Sequence, residues 1–287
     1  MARSPERPRE PSFHGTRGTI VVRCWPNPAA RYLALLVHGY GEHIGRYEHV
    51  ADLLVRHGAV VYGPDHAGHG RSAGRRAHVA DFDDIVADLR TLEERARAAH
   101  PGLPVVLIGH SMGGMIAVRH AQLTAEHADA ADDASAAGAA GLSALVLSAP
   151  VLGPWVVIKA LLELDEIPDV PIDAHTLSRD PEVGAAYDAD PLVWHGPFSR
   201  ATLEAFDRAL ETIAAGRRLG ALPTLWLHGI DDQLVPLTDV RAGIDRIRGE
   251  DLTELHYPEA RHELFNEINK DGVLADVAAF IDRALAD

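Results

Sequence analysis

The sequence predicts an α/β protein in which helices flank a mostly parallel sheet and a helical insertion interrupts the pattern once. Short apolar runs rich in β-branched residues alternate with amphipathic helical patterns over most of the chain. Such alternation is typical of parallel sheets, because a crossover between parallel strands needs a long connection, usually a helix. The alternation stops between residues 151 and 221 and then resumes. With 287 residues, of which 47% are hydrophobic, the chain can bury a substantial core.

Strands are predicted where short apolar runs end in a Gly, Pro or turn signal. In chain order they are TIVVRCW (19–25), RYLALLVHG (31–39), AVVYGP (59–64), PVVLIG (104–109), LSALVLSAP (142–150), PTLWLHG (223–229) and LTELHY (252–257).

Helices are predicted between these strands from apolar residues that recur with helical spacing. Residues 46–58 form the first, which Gly58 ends, and residues 80–102 form a longer one that stops at Pro101–Gly102. A further helix starts at Met112 and runs to about Thr124, and another closes the chain. The Ala/Asp-rich stretch 125–141 has no large apolar face, so we expect it to be a surface extension of the preceding helix.

The chain divides into an arm, a core in two pieces and a cap. Residues 1–17 are rich in Pro and Arg and lack the apolar core of a secretory signal, which predicts a disordered arm and no signal peptide. Residues 18–150 and 222–287 hold the alternating pattern and form the α/β core. Residues 151–221 contain scattered prolines and irregular helical pieces, so we expect a cap inserted over one sheet edge.

Composition excludes several classes of protein. The net charge of −15 argues against a nucleic-acid partner, because phosphates must be neutralised by clustered Lys and Arg. A single cysteine, Cys24, permits no internal disulfide and fits a reducing compartment. The longest apolar run, residues 150–164, is broken by Gly, Pro and Lys and is too short to span a bilayer. We therefore expect a soluble, cytoplasmic protein.

No cofactor or metal motif is complete. GYGEHIG (39–45) resembles a dinucleotide fingerprint, but Ile44 stands where the last glycine is required. HELFN begins like the zinc motif H-E-x-x-H, but its fifth residue is Asn266. The 17 histidines are scattered without ligand spacing. We expect neither a cofactor nor a metal.

The chemistry is indicated by GHSMG (109–113), a G-x-S-x-G pattern between a strand and a helix. A sharp strand-to-helix turn lifts the serine side chain out of the sheet. The glycines avoid collisions with the neighbouring strand and helix. The helix N-terminus favours developing negative charge beside the serine. This context predicts that Ser111 is a nucleophile.

A serine nucleophile needs a base that a third group orients, and the expected chain order is serine, acid, histidine. After the strand at 223–229, the loop carries Asp231 and Asp232, and Asp232 matches the usual G-x-x-D spacing. His262 follows the last strand and precedes the last helix, whereas His256 lies within the strand. We therefore predict Asp232 as the acid and His262 as the base.

Acyl transfer also requires an oxyanion hole of two backbone N–H groups. The residue after the nucleophile, Met112, provides one. The loop HGYGEHIGRY after an early strand provides the other, at Tyr40. In both cases the amide is the functional group.

Seven segments along the chain carry a wider pattern: HGYGEHIGRYEHVADLL, DHAGHGRS, GHSMGG, LSAP, SRDPEV, YDADPLVWHG and HGIDDQLVP. Together they resemble the monoacylglycerol lipases of the α/β-hydrolase fold, and the resemblance covers nearly the whole chain from about residue 18. It departs from some members three residues after the histidine of the triad, where they carry a second histidine and this chain has Phe265. The low-complexity stretch at 125–141 is another departure.

The resemblance implies the same triad and oxyanion hole, and it adds a polar pocket for the glycerol end of the substrate. The positions that match this pocket are Glu42, Arg46, His110 and Tyr187. The alternatives are that Glu42 and Arg46 only pair with each other, and that Tyr187 only packs within the cap.

The implied activity is hydrolysis of monoacylglycerol to glycerol and fatty acid through an acyl-enzyme. The apolar segment WVVIKALLEL (155–164) suits a cap that binds the acyl chain and transiently touches membranes or lipid aggregates, although plain packing of the cap is the alternative.

A general carboxylesterase or lysophospholipase with the same triad is the competing enzyme. A binding protein built on an inactive hydrolase is disfavoured because no triad residue is lost. Ser111 disfavours an Asp-nucleophile dehalogenase or epoxide hydrolase.

Overall fold

The computed structural model describes residues 10–130 and 141–286, and in them a single eight-stranded sheet forms the centre of the fold. The spatial order is β1-β2-β4-β3-β5-β6-β7-β8. From β4 to β8 every neighbouring pair is parallel, while β1 pairs with β2 and β2 pairs with β4 in antiparallel fashion. The predicted α/β class with a mostly parallel sheet is confirmed.

The strands coincide closely with the apolar runs of the sequence. They are β1 (Ser12–Gly15), β2 (Gly18–Trp25), β3 (Tyr32–Val37), β4 (Ala59–Pro64), β5 (Val105–His110), β6 (Ala144–Ser148), β7 (Thr224–Gly229) and β8 (Leu252–Tyr257). The three central strands β3, β5 and β6 are buried along their whole length, because helices cover both faces of the sheet.

Two helical layers enclose the sheet. The helices are α1 (Glu48–Arg56), α2 (Phe82–Ala99), α3 (Met112–Ala130), α4 (Val156–Leu162), α5 (Pro181–Ala189), α6 (Arg200–Ala215), α7 (Leu237–Ile247) and α8 (Lys270–Ala284). One apolar cluster joins one face of the sheet to α2, α3, α6 and α7, and a second joins the other face to α1 and α8. None of the helices in the described parts of the chain is both long and apolar enough to cross a membrane.

The N-terminal arm is shorter than the sequence predicts. Residues 12–15, which the sequence predicts as part of a disordered arm, form β1 and pair with β2. Phe13 is buried in the core, and the backbone N–H of Thr16 donates to Asp88 on α2 at 2.7 Å. This contact with a residue 72 positions away is a tertiary effect that local composition does not reveal. Residues 1–9 lie outside the described part of the chain.

The insertion at residues 151–221 is fully described and contains no strand. It carries α4, α5, α6 and a short 3₁₀ helix at Ala174–Thr176. Of these elements α6 packs most deeply, since Leu203 and Phe206 are fully buried against α2 and the sheet-facing cluster. We therefore propose that only the part before α6 acts as a cap, and that α6 belongs to the helical layer of the core.

Candidate active site

Ser111 stands at the sharp turn between β5 and α3. Its φ of +54° is a left-handed backbone conformation that residues other than glycine rarely adopt. The turn is held by its backbone, because the N–H of Ser111 donates to the carbonyl of Ser148 at 3.0 Å and its carbonyl accepts from Gly114 at 2.9 Å. The strain is thus localised at the residue predicted to be the nucleophile.

The glycines around Ser111 are there for steric reasons, as the sequence predicts. A Cβ atom at Gly109 would overlap the carbonyl oxygen of Gly113. One at Gly113 would overlap the carbonyl oxygen of Val37 at the end of β3, and one at Gly114 would press on Pro150. The helix can therefore start directly against the strand ends only with glycine at these positions.

Asp232 and His262 meet at the carboxyl ends of β7 and β8. His262 Nδ1 lies 2.7 Å from Asp232 Oδ2, and both side chains are buried. The other oxygen of Asp232 accepts the backbone N–H groups of Leu234 at 3.0 Å and Val235 at 2.9 Å. Asp231, one residue earlier, is exposed. The structure thus pairs His262 with Asp232, the acid that the G-x-x-D spacing predicts.

Each member of this pair changes the pKa of the other. Burial by itself lowers the pKa of His262, but the Asp232 carboxylate outweighs this effect and raises the pKa above its ordinary value. Burial likewise tends to raise the pKa of Asp232, but the charge and hydrogen bond of His262 lower it. The arrangement favours an ionised carboxylate next to a histidine that accepts a proton readily.

Ser111 and His262 line one cavity of about 150 Å³, which has an apolar wall and a polar end. The apolar wall is formed by Val151, Trp155, Val157, Ile172, Leu177, Phe198, Phe206, Leu234 and Val235. The polar end is formed by Glu42, Arg46, His110, Tyr187 and Glu263. All four residues that the family resemblance implies for the glycerol pocket therefore border the cavity.

The backbone of residues 39–40 and of Met112 also borders this cavity. The N–H of Gly39 donates to Glu42 Oε1 at 2.7 Å, which leaves the next amide, that of Tyr40, as the candidate donor of this loop. The Tyr40 hydroxyl is occupied by the carbonyl of Ala77 at 2.9 Å, so a role for Tyr40 would be a backbone role. Met112 is the first residue of α3, where N–H groups lack partners within the helix. The amides of Tyr40 and Met112 thus remain the predicted oxyanion hole.

Glu42 and Arg46 do pair, but not only with each other. Arg46 Nη1 lies 2.7 Å from Glu42 and 2.6 Å from Glu263, and Arg46 Nη2 lies 2.8 Å from Glu263. The charge of Arg46 lowers the pKa of Glu263 to about 2, against the opposing effect of burial. Arg46 and Glu263 are 217 positions apart and no spacing rule links them, so the sequence alone does not indicate a role for Glu263.

Tyr187 projects from α5 toward the same network. Its side chain is buried, and its ring lies 5.1 Å from the guanidinium carbon of Arg46. Its hydroxyl finds no hydrogen-bond partner within the described parts of the chain. A buried polar group without a partner needs an explanation, and a bound ligand would provide one.

His110 lies between these groups and the base. Burial and the nearby His262 lower the pKa of His110 to about 3, and the two rings are 4.8 Å apart. Behind the oxyanion loop, burial also lowers the pKa of His66 to about 3 and that of His69 to about 4. These histidines are neutral near pH 7, and the described residues contain no group of three or more His, Cys, Asp or Glu able to hold a metal ion.

The chain is similar to known hydrolases along most of its length. Residues 28–269 match the family model described as serine aminopeptidase, S33. The chain is 38% identical to monoacylglycerol lipase of Mycolicibacterium smegmatis, over 95% of this chain and 96% of that protein. It is 32% identical to the human monoglyceride lipase, over 87% of this chain and 81% of that protein.

A solved structure supports the same fold. The chain superimposes on a soluble variant of the monoglyceride lipase from Saccharomyces cerevisiae, in complex with a substrate analog, with a TM-score of 0.78. The superposition covers 98% of this chain and 96% of that one at 20% identity. The expected α/β-hydrolase fold is thereby confirmed.

Proposed function

The chain belongs to the serine aminopeptidase S33 family and, within it, to the monoacylglycerol lipases, and from this membership we propose that it hydrolyses monoacylglycerols to glycerol and free fatty acid. One observation carries the proposal. A single cavity borders Ser111 and His262 and joins an apolar wall to an end rich in polar side chains. A substrate with one acyl chain and a free polyol has the same division between apolar and polar parts.

We assign the chemical roles to Ser111, His262 and Asp232. His262 Nε2 takes the proton of the Ser111 hydroxyl as its oxygen attacks the ester carbonyl, and Asp232 holds the Nδ1–H of the imidazole at 2.7 Å. The amides of Tyr40 and Met112 stabilise the negative charge on the carbonyl oxygen. His262 then returns the proton to the departing glycerol oxygen. Water, deprotonated in the same way, cleaves the acyl-enzyme to fatty acid and restores Ser111.

A hydrolysis panel tests the substrate class. We expect the full-length protein to cleave monoacylglycerol much faster than di- or triacylglycerol of the same acyl chain, since an extra ester would leave the polar groups at the alcohol end unpaired. Lysophospholipid, a short nitrophenyl ester and an aminoacyl anilide complete the panel and represent esterase and peptidase activities. Equal rates on mono- and diacylglycerol would identify a general carboxylesterase.

Tyr187→Phe tests whether the alcohol end contacts the substrate. The hydroxyl of Tyr187 has no partner in the described parts of the chain, so its removal breaks no internal hydrogen bond. We expect kcat/KM for monoacylglycerol to fall roughly tenfold, which is the effect of losing about one hydrogen bond. The rate on a short nitrophenyl ester should be unchanged, because that leaving group makes no such bond. An equal loss on both substrates would contradict a role in binding glycerol.

We also propose that the cap touches lipid aggregates. Val156 and Val170 of the cap are 61% and 66% exposed, and Val157, next to the first of them, lines the cavity. Exposed apolar side chains lose water contact when they enter a lipid surface.

The double variant Val156→Ser/Val170→Ser should bind phospholipid vesicles more weakly than wild type in a flotation assay, and it should hydrolyse dispersed monoacylglycerol more slowly. Hydrolysis of a water-soluble nitrophenyl ester should not change. Ile268→Ser is the matched control, since Ile268 is 62% exposed but lies outside the cap. Equal vesicle binding by all three proteins would refute the contact.

A further inference from the structure

We propose that Glu263 is a specificity-determining residue that, together with Glu42, makes the alcohol end of the cavity reject esters with an anionic leaving group. Neutral polyol esters are accepted there, and lysolipids that bear a phosphate are not. The proposal rests on the proposed function in one respect, namely that the alcohol part of the ester occupies this end of the cavity.

The positive charge of Arg46 is already neutralised by the protein. Both terminal nitrogens donate to carboxylates, Nη1 to Glu42 and to Glu263 and Nη2 to Glu263, at distances of 2.6 to 2.8 Å. A phosphate that entered the cavity would therefore have to compete with two fixed carboxylates for these donors. Arginine is a common phosphate ligand, but only where its N–H groups are available.

The remaining charge of the alcohol end is negative. Arg46 is the only Lys or Arg among the described residues that line the cavity, and it faces the two carboxylates. His110 is neutral near pH 7, because burial and His262 lower its pKa to about 3. His262 must be neutral to act as a base. One carboxylate is left without a compensating cation, in a place where little solvent screens it.

Glu263 cannot easily turn away from the cavity. Its backbone N–H donates to the carbonyl of Leu177 at 2.7 Å, and its Oε2 accepts from the side-chain amide of Asn266 at 2.8 Å. Its side chain is only 5% exposed. The carboxylate is thus a permanent part of the wall, directly after His262 in the chain.

A neutral alcohol meets a different environment. The unpartnered hydroxyl of Tyr187 can donate to or accept from a substrate hydroxyl, and carboxylate oxygens accept hydrogen bonds from hydroxyl groups. A phosphate monoester carries about −1.5 to −2 charges at pH 7 and offers mainly acceptors. The carboxylates offer these acceptors no hydrogen bond, and the Tyr187 hydroxyl can donate only one. The same wall therefore favours a polyol and opposes a phosphate.

The test measures binding independently of lipid hydrolysis. Three non-hydrolysable dodecyl ethers compete with a short nitrophenyl ester: dodecylglycerol, its 3-phosphate, and an analogue in which a trimethylammonium group replaces the terminal hydroxyl. For the wild-type full chain, we expect the inhibition constant of the phosphate to exceed that of dodecylglycerol on the order of 100-fold, because like charges at close range are strongly unfavourable. The cationic ether should bind at least as tightly as dodecylglycerol.

Glu263→Gln keeps the shape of the side chain and removes its charge. We expect the ratio between the two inhibition constants to fall roughly tenfold or more in this variant, mainly because the phosphate binds better. Glu259→Gln is the matched control, since Glu259 precedes it on the same loop and its side chain is 79% exposed. The control should keep the wild-type ratio, which separates a local charge effect from the net charge of −15.

Two results would overturn the proposal: equal binding of the phosphate and the neutral ether by wild type, or an unchanged ratio in a folded Glu263→Gln variant. If the variant unfolds in a thermal melt, the order of the three ethers on wild type decides, and tightest binding of the phosphate refutes the proposal. Failure of the proposed function is recognised separately, as cleavage of the nitrophenyl ester without cleavage of monoacylglycerol.

Discussion

Replacing Ser111 by alanine is expected to reduce hydrolysis of monoacylglycerol roughly 10⁶-fold, to the residual level of an enzyme without its nucleophile. The fold should survive, because the left-handed backbone at Ser111 already carries a Cβ atom and alanine adds none. The backbone hydrogen bonds to Ser148 and Gly114 do not involve the side chain that is removed. A thermal melt within a few degrees of wild type checks this.

Intact-mass spectrometry with a fluorophosphonate inhibitor provides the decisive measurement. Wild type should gain the mass of one phosphonyl group, and Ser111→Ala should gain none. Ser143→Ala is the matched control, because Ser143 precedes β6 at the opposite end of the sheet and should be labelled like wild type. Labelling of Ser111→Ala at the wild-type rate would place the nucleophile elsewhere.

Replacing Asp232 by asparagine is expected to lower kcat on the order of 10⁴-fold. The asparagine oxygen can still accept the N–H groups of Leu234 and Val235, so the loop keeps its shape. The amide nitrogen then faces Nδ1 of His262, which must accept from it. The imidazole proton is therefore held at Nε2, where it prevents His262 from accepting the serine proton.

The pH dependence of the same variant gives an independent readout. The Asp232 carboxylate raises the pKa of His262, and activity requires neutral His262. In wild type, the acid limb of kcat/KM should therefore lie above the ordinary histidine pKa of about 6.5. Without the negative charge the protonated imidazole is less stable, so the residual activity of Asp232→Asn should have its acid limb at lower pH.

Asp231→Asn is the matched control for this experiment, because it makes the same change one residue away. Asp231 is exposed, so the substitution should change kcat by no more than about twofold. If Asp231→Asn lost activity and Asp232→Asn retained it, the acid of the triad would be Asp231 and the spacing argument would be wrong.

The parts of the molecule that the sequence predicted well are those with local causes. The apolar runs of β2 to β8 are bounded by Gly, Pro or polar residues, and the structure begins and ends these strands within a few residues of the prediction. The glycines around Ser111 are required by the sterics of one short turn. The turn can therefore be recognised from these few residues alone. The order in which Ser111, Asp232 and His262 follow their strands is likewise visible in the sequence.

The predictions that failed or were missing depend on contacts between distant residues. The short strand at residues 12–15 is stabilised by pairing with β2 and by Asp88, and its own composition resembles that of a disordered arm. The helix α6 lies within an irregular segment, and the proposal that it belongs with the core helices rests on its packing alone. Neither feature can be predicted from a short stretch of sequence.

By itself, the sequence determined the fold class, the position of the strained turn at Ser111 and the loops on which Asp232 and His262 lie, because each depends on local geometry or on the order of elements. The tertiary structure decided which charges meet at the alcohol end of the cavity. Arg46 and Glu263 are 217 positions apart and contact at 2.6 Å, because the loops that follow β3 and β8 end at the same edge of a parallel sheet. Such a contact depends on the twist and packing of the whole sheet, and no local pattern of residues predicts it.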